Sequence, residues 1–246
     1  MNAFRTSFDA AAVASVLARV AERRPRIHCL TNTVAQNLTA NMLLAFGAVP
    51  SMASHPEEVA SVAAGAGALL INLGTISPEG ERAVPKLLEV ARAGGKPLVL
   101  DPVFVELSPL RMRLAQEALR LPGIVVRANA AEMQALAARL ALAPSATRVT
   151  TGRIDHIEGP SGTVEIGHGH PLMTQVTGLG CASSALVAAC CAVEADPVLA
   201  AATALTAYGV AGEIAAERSA GPGSFAMHLL DALAGLDAAG LAARMG

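Results

Sequence analysis

The sequence predicts an α/β fold: a mostly parallel central sheet with helices on both faces and a helical C-terminal third. Three observations carry this. Short apolar runs alternate with segments whose apolar positions recur at helical spacing, the pattern of βα units in a parallel sheet. Hydrophobic residues make up 53% of the chain but aromatic ones only 2%, so alanine, leucine and valine must fill the core by close packing of helices on a sheet. Beyond Cys181 the pattern is almost wholly helical. With no repeat, linker or low-complexity stretch, residues 1–246 read as a single domain.

In chain order, 9–22 has helical spacing, with Asp9 as N-cap and Pro25 closing the segment. Residues 26–30 form a strand ending in Thr31-Asn32, and a helix follows over 35–46 with Gly47 at its C-terminus. A second strand covers 48–52, and Pro56-Glu57-Glu58 opens the next helix. The strand 68–71 ends in Asn72-Leu73-Gly74-Thr75, and Pro78 starts a helix that Gly94-Gly95 stops. Strand 97–100 ends in Asp101-Pro102, helix 109–121 follows, and strand 124–126 ends in Arg127-Ala128-Asn129. Helix 130–142 leads to a strand at Arg148-Val149 that ends in Thr150-Thr151-Gly152. Segments 154–158 and 162–166 pair as an antiparallel hairpin around Gly159-Pro160. The rest is helix: 182–194, 197–218, 225–235 and a short tail.

Five strands end in polar residues, and ligands of open α/β sheets bind outside those carboxyl ends. A single such end is ordinary turn or cap chemistry; five mark a ligand edge. The stretch Val176-Thr177-Gly178-Leu179-Gly180-Cys181 adds an anion cradle, because two glycines open a buried helix whose first N–H groups lack intrahelical partners. Gly-x-Gly also serves close packing, and cysteine is often a small buried hydrophobe. At a helix N-terminus, though, a thiol pKa is expected to be depressed. Cys181 should therefore react faster than Cys190 or Cys191.

The net charge is −2 and the largest basic cluster is Arg23-Arg24-Pro25-Arg26, so nucleic-acid binding lacks electrostatic support. Mean hydropathy is +0.47, yet the most apolar run, 182–193, is too short to span a bilayer, and charges within the first 24 residues break any signal-peptide core. The four cysteines form no Cys-x-x-Cys pair, which fits a reduced cytoplasmic protein without a membrane.

Among single residues, Asp101 is either a cap or a carboxylate toward Mg²⁺, and Glu132 either complements a helix dipole or completes that Mg²⁺ environment through water. Arg127 can fork onto phosphate oxygens or pair with Asp101 or Glu132. Thr151-Gly152 can present a hydroxyl and bare backbone to a nucleotide. Asn37 and Asn41 share a helix face that should meet something polar, and His168 with His170 is a weak metal pair read as a solvated turn.

Nine ordered motifs then converge: His28-Cys29-Leu30-Thr31-Asn32, Asn37-x-x-Ala40-Asn41, Pro50-Ser51-Met52, Asn72-Leu73-Gly74-Thr75, Asp101-Pro102-Val103, Arg127-x-Asn129-x-x-Glu132, Thr151-Gly152-x-x-Asp155, Thr177-Gly178-x-Gly180-Cys181 and Pro222-Gly223-Ser224-Phe225. The sequence resembles the hydroxyethylthiazole kinase family of the ribokinase-like superfamily from His28 to Phe225. The resemblance implies ATP- and Mg²⁺-dependent phosphorylation of the hydroxyethyl group of 4-methyl-5-(2-hydroxyethyl)thiazole in thiamine salvage, by a homotrimer with thiazole sites between subunits. It also implies substrate contacts from Met52, Gly178 and Asn32, ATP contacts from Arg127 and Thr151, Mg²⁺ organised by Asp101 and Glu132, and Cys181 as catalytic residue. Other readings are a relative acting on another small heterocyclic or sugar alcohol, or a silent homologue that binds one. The family's glycine-rich run after Asp-Pro-Val is Phe104-Val105-Glu106-Leu107 here, Arg-Gly-Asn is Arg127-Ala128-Asn129, and Leu179 replaces a threonine. The segment between Glu132 and Thr151 is also shorter. Bulk at Phe104 and Leu179 is expected to obstruct backbone approach to phosphate and weaken nucleotide binding.

Overall fold

The computed structural model describes residues 8–140 and 142–245. Within them lie the helices α1 (Ala10–Arg23), α2 (Gln36–Ala45), α3 (Val59–Ala64), α4 (Pro78–Gly94), α5 (Pro109–Ala118), α6 (Ala130–Arg139), α7 (Leu179–Cys191), α8 (Pro197–Glu217), α9 (Pro222–Ala234) and α10 (Ala238–Met245). The strands are β1 (Arg26–Leu30), β2 (Val49–Ser51), β3 (Ala68–Asn72), β4 (Leu98–Asp101), β5 (Val125–Asn129), β6 (Thr147–Thr151), β7 (Asp155–Gly159) and β8 (Gly162–Ile166). They form one sheet in the order β2-β1-β3-β4-β5-β6-β7-β8. The first six are parallel, and the expected hairpin adds β7 and β8 antiparallel at one edge.

Because successive strand residues face opposite sides, each inner strand feeds two cores. In β3, Ala68 and Leu70 join the core under α1, α2 and α7 to α10, while Leu69 and Ile71 join the core under α3 to α6. Both faces are covered, as the unbroken apolar strands require. Helices α7 and α8 are apolar all round and correspondingly buried. Among the described residues α8 is the helix long and apolar enough to cross a membrane by composition, and 83% of its apolar window is buried inside the molecule.

Local signals set most boundaries. Asp9 accepts the Ala12 N–H at 2.8 Å, as expected of the N-cap. Gly47, at φ +90°, ends α2 in a Schellman motif: Ala48 N–H donates to Leu43 O (2.8 Å) and Gly47 N–H to Leu44 O (3.1 Å). Other boundaries move. Pro56-Glu57-Glu58 forms a turn, in which the His55 ring accepts the Glu57 N–H at 3.3 Å, and α3 starts only at Val59. Helix α5 ends at Ala118 rather than 121, short of a Pro122-Gly123 turn with Gly123 at φ +70°. Helix α6 ends at Arg139 because Leu140 is extended; Ala141, inside the expected helix 130–142, lies outside the described residues, as do residues 1–7 of the segment read for a signal peptide. Helix α7 begins at Leu179, three residues early, since Gly178 at φ +85° turns the chain directly into it. Proline at N1 likewise starts α9 at Pro222.

Candidate active site

Parallel pairing brings the carboxyl ends of β1, β3, β4, β5 and β6 into one row, and α7 packs beneath it on β1, β3 and β4. Asn72 and Asp101 are register partners at the ends of β3 and β4, and Asn129 pairs with Thr151 at the ends of β5 and β6. The N-terminus of α7 meets this row. That helix has no side-chain cap, so its first-turn N–H groups remain open to a ligand. A Cβ on Gly178 would stand 3.3 Å from Ala35 Cα, so the loop lies tight against the start of α2.

The structure gathers Asn32, Asp101, Arg127, Glu132 and Cys181 at the carboxyl edge of the sheet. Asn32 Nδ2 donates to Cys181 Sγ at 3.7 Å and to Asn72 Oδ1 at 3.1 Å. Asn72 Nδ2 donates to Asp101 Oδ2 at 2.8 Å, and Ser184 Oγ donates to the same oxygen at 2.8 Å. Arg127 Nη1 stands 4.0 Å from Asp101 Oδ2. Its Nε is buried without a partner, and a Cβ on Gly180 would lie 3.5 Å from Nη1. The guanidinium thus lies along the glycine backbone with donors unspent, an arrangement suited to an anion. Thr151 Oγ donates to Ala128 O at 3.4 Å. Met52 follows edge strand β2, half-buried against the α7-side core.

Glu132 has more structural work than the sequence indicated. Its Oε2 accepts the Asn129 N–H (2.9 Å) while Asn129 Oδ1 accepts the Glu132 N–H (2.9 Å), a complete capping box. Its Oε1 accepts the Phe104 N–H at 2.7 Å. Asp101 Oδ1 has no protein hydrogen bond among the described residues. Asp101 and Asp155 both lie within reach of the Arg127 charge, and Glu132 lies near Asp101. Burial raises the Asp101 carboxyl pKa, Arg127 and Ser184 oppose that rise, and Glu132 adds to it. Burial also raises Asp155, against the Gly152 N–H and Arg127. Among the described residues no three His, Cys, Asp or Glu side chains converge on one point. The neighbouring Asp101 and Glu132 carboxylates are oxygen donors that fit Mg²⁺, which keeps several waters and takes one or two carboxylates beside substrate phosphates.

Two expectations need correction. The Cys181 thiol is raised rather than depressed: burial dominates and Asp101 adds to it, while the Asn72, Asn32 and Arg127 interactions pull the other way and lose. It is still only partly buried, whereas Cys190 and Cys191 are buried, with Cys190 pushed well up and Cys191 to about 12. Leu179 does not face this edge, since its side chain is fully buried in the α7-side core, and Ala128 is buried in the other core. Phe104 instead lies outside the core, 55% exposed, left-handed at φ +52° and bonded through its N–H to Glu132. Asn37 and Asn41 lie on the outer side of α2 and bond each other at 3.1 Å. His168 and His170 do not pair, as His168 bonds Glu213 (3.1 Å) and His170 accepts the Leu172 N–H (3.2 Å). What sequence reading missed is Ser184, and the use made of Asn72. The strand-end position of Asn72 was visible, but Ser184 looked like one more small residue of a packed helix.

A sequence profile described as the hydroxyethylthiazole kinase family matches residues 17–143 and 134–239. A hydroxyethylthiazole kinase of Granulibacter bethesdensis is 43% identical, covering 91% of this chain and 90% of the relative. The solved structure of a Pyrococcus horikoshii hydroxyethylthiazole kinase superposes with a TM-score of 0.84 at 37% identity, over 92% of this chain and 93% of that one. More distant structures share the fold alone. They include a ribokinase-like superfamily protein of Enterococcus faecalis (TM-score 0.63, 13% identity, 93% and 89% coverage). Another is an ADP/ATP-dependent NAD(P)H-hydrate dehydratase of Bacillus subtilis co-crystallised with ATP and Mg²⁺ (TM-score 0.53, 13% identity, 93% and 91% coverage).

Proposed function

This chain belongs to the hydroxyethylthiazole kinase family, and from that we propose that it transfers the γ-phosphoryl group of ATP to the hydroxyethyl oxygen of 4-methyl-5-(2-hydroxyethyl)thiazole, as one domain spanning 1–246. The observation carrying this reading is the continuous polar path from Asn32 and Cys181 to Asp101 and Arg127. It sets a group suited to an alcohol beside groups suited to phosphate and its cation. Phosphoryl transfer asks for positioning and charge stabilisation more than covalent chemistry.

Asp101 and Glu132 would hold Mg²⁺, which when bound neutralises charge on the phosphoryl oxygens. Arg127 and the open N–H groups of α7 bind those oxygens directly, and the α7 dipole favours the charge there. Thr151, beside Asn129, contacts the nucleotide. Met52, Gly178 and Asn32 bind the thiazole alcohol. Cys181 orients the hydroxyl and receives its proton through the minor thiolate form, since the raised pKa leaves it mainly a thiol at neutral pH. Apolar Val34, Leu44 and Met227 stand 60%, 54% and 63% exposed on or beside α2 and α9, a surface suited to subunit contact in a homotrimer. A reduced cytoplasmic setting suits the four free thiols.

The test is ADP release from ATP and Mg²⁺ across a panel of hydroxyalkyl heterocycles and sugars. Release dependent on hydroxyethylthiazole is expected. Dependence on a different alcohol would move the substrate, and no alcohol dependence at all would leave a silent binder. Light scattering should report three copies, and an active monomer would end the shared-site assembly.

A further inference from the structure

We propose that Asn72 is the positioning residue that sets both halves of the site, holding Asp101 for the phosphate side and, through Asn32, Cys181 for the alcohol side. This rests on the kinase reading above. Asn72 closes β3 and is 1% exposed. Its Oδ1 accepts from Asn32 Nδ2 (3.1 Å) and from the Gly74 N–H (3.0 Å), while its Nδ2 donates to Asp101 Oδ2 (2.8 Å). These contacts fix the amide in one sense. Turned over, its nitrogen would face two donors and its oxygen a carboxylate.

The constraint passes on to Asn32. The Asn32 Oδ1 is taken by the Ala35 N–H at 3.0 Å, which leaves its nitrogen to donate to Asn72 and to Cys181 Sγ. The sulfur is therefore an acceptor on the Asn32 side, and its own proton is directed elsewhere. At Asp101, Asn72 and Ser184 both occupy Oδ2, so the other carboxylate oxygen is the one offered outward. Asn32 is 8% exposed, Asp101 2% and Ser184 0%. A buried polar chain of this kind is costly unless every member is satisfied, and then it is rigid.

The same amide supports a strained turn. Thr75, β-branched, sits left-handed at φ +43°, and the Asn72–Gly74 bond holds the chain into it. A Cβ on Gly74 would lie 3.0 Å from both Asn32 Nδ2 and Asn72 Oδ1, so a side chain there would push on both amides. The two buttresses of Asp101 thus differ. Ser184 touches the phosphate side alone, whereas Asn72 touches both sides.

That asymmetry is the test, made with Ser184→Ala, Asn72→Ala and Asn72→Ser. A serine at position 72 keeps a hydroxyl for the Gly74 N–H but is too short to span to Asn32 and Asp101. Alcohol-dependent ADP release by the unaltered protein is the control, and its absence would sink the kinase reading before Asn72 is at issue. Two quantities are then read: calorimetric ATP affinity with and without Mg²⁺, and the split of kcat against the KM for the alcohol. Losing a hydrogen bond to a charged group should weaken the Mg²⁺-dependent part of ATP binding by about 10-fold in all three variants. Only the Asn72 variants should also raise the alcohol KM and lower kcat, by about 10-fold or more. Should Asn72→Ala fail to fold, Asn72→Ser with an unchanged Tm carries the comparison. An Asn72→Ser protein with wild-type kcat and alcohol KM would overturn the proposal, as would a Ser184→Ala protein that raises the alcohol KM equally.

Discussion

At Cys181 the helix dipole and the surroundings act in opposite directions. The thiol lies in the first turn of α7, where N–H groups favour a thiolate, but burial and the Asp101 charge oppose it and prevail. Sequence placed the cysteine correctly and could not weigh the carboxylate that β4 brings beside it. A consequence is legible in the pH dependence of kcat. If the thiolate accepts the substrate proton, the active form is the deprotonated one, so kcat should climb through neutral pH and level off only above the raised pKa. Cys181→Asp should move that climb to lower pH, because a carboxylate ionises earlier. Cys181→Ala should lose about 10²-fold or more in kcat while still binding ATP. An alanine variant with wild-type kcat would remove the sulfur from catalysis and leave the backbone cradle alone.

The loop entering α7 and the turn after β4 show how much of an element's role depends on where it packs. Leu179 and Phe104 look alike in sequence, as bulk where the family has smaller residues. The structure separates them, because the helix starts at residue 179 and rotates Leu179 into the core, whereas Phe104 sits outside in a left-handed turn pinned by Glu132. Leu179→Thr should therefore cost about 2–3 kcal/mol of stability, through a lost methyl contact and a buried hydroxyl, without tightening ATP binding. Phe104→Gly should relieve about 1 kcal/mol of left-handed strain and lower the ATP KM. Urea melts and steady-state kinetics on each single variant decide this. A Leu179→Thr protein that gains ATP affinity at unchanged stability would place this side chain at the nucleotide and not in the core.

Across the whole molecule, what the sequence told best was the pattern that repeats: unbroken apolar strands, caps such as Asp9 and Gly47, and polar residues where strands stop. Those features are local, and the fold follows from them because a sheet buried on both faces admits few arrangements. The hydrogen-bonded path from Asn32 to Ser184 was not legible in the same way. Its links join residues 29 to 149 positions apart, and strand order alone decides that they meet. Glu132 shows the converse, since a side chain read for a cation also closes a capping box and holds the Phe104 turn. ³¹P NMR of a reaction with ATP, Mg²⁺ and 4-methyl-5-(2-hydroxyethyl)thiazole tests whether this edge moves the γ-phosphoryl group onto the oxygen of that alcohol. A new phosphomonoester resonance, split by the adjacent methylene protons, should grow in step with ADP. ADP accompanied only by inorganic phosphate, or no change in the ATP signals, would contradict it.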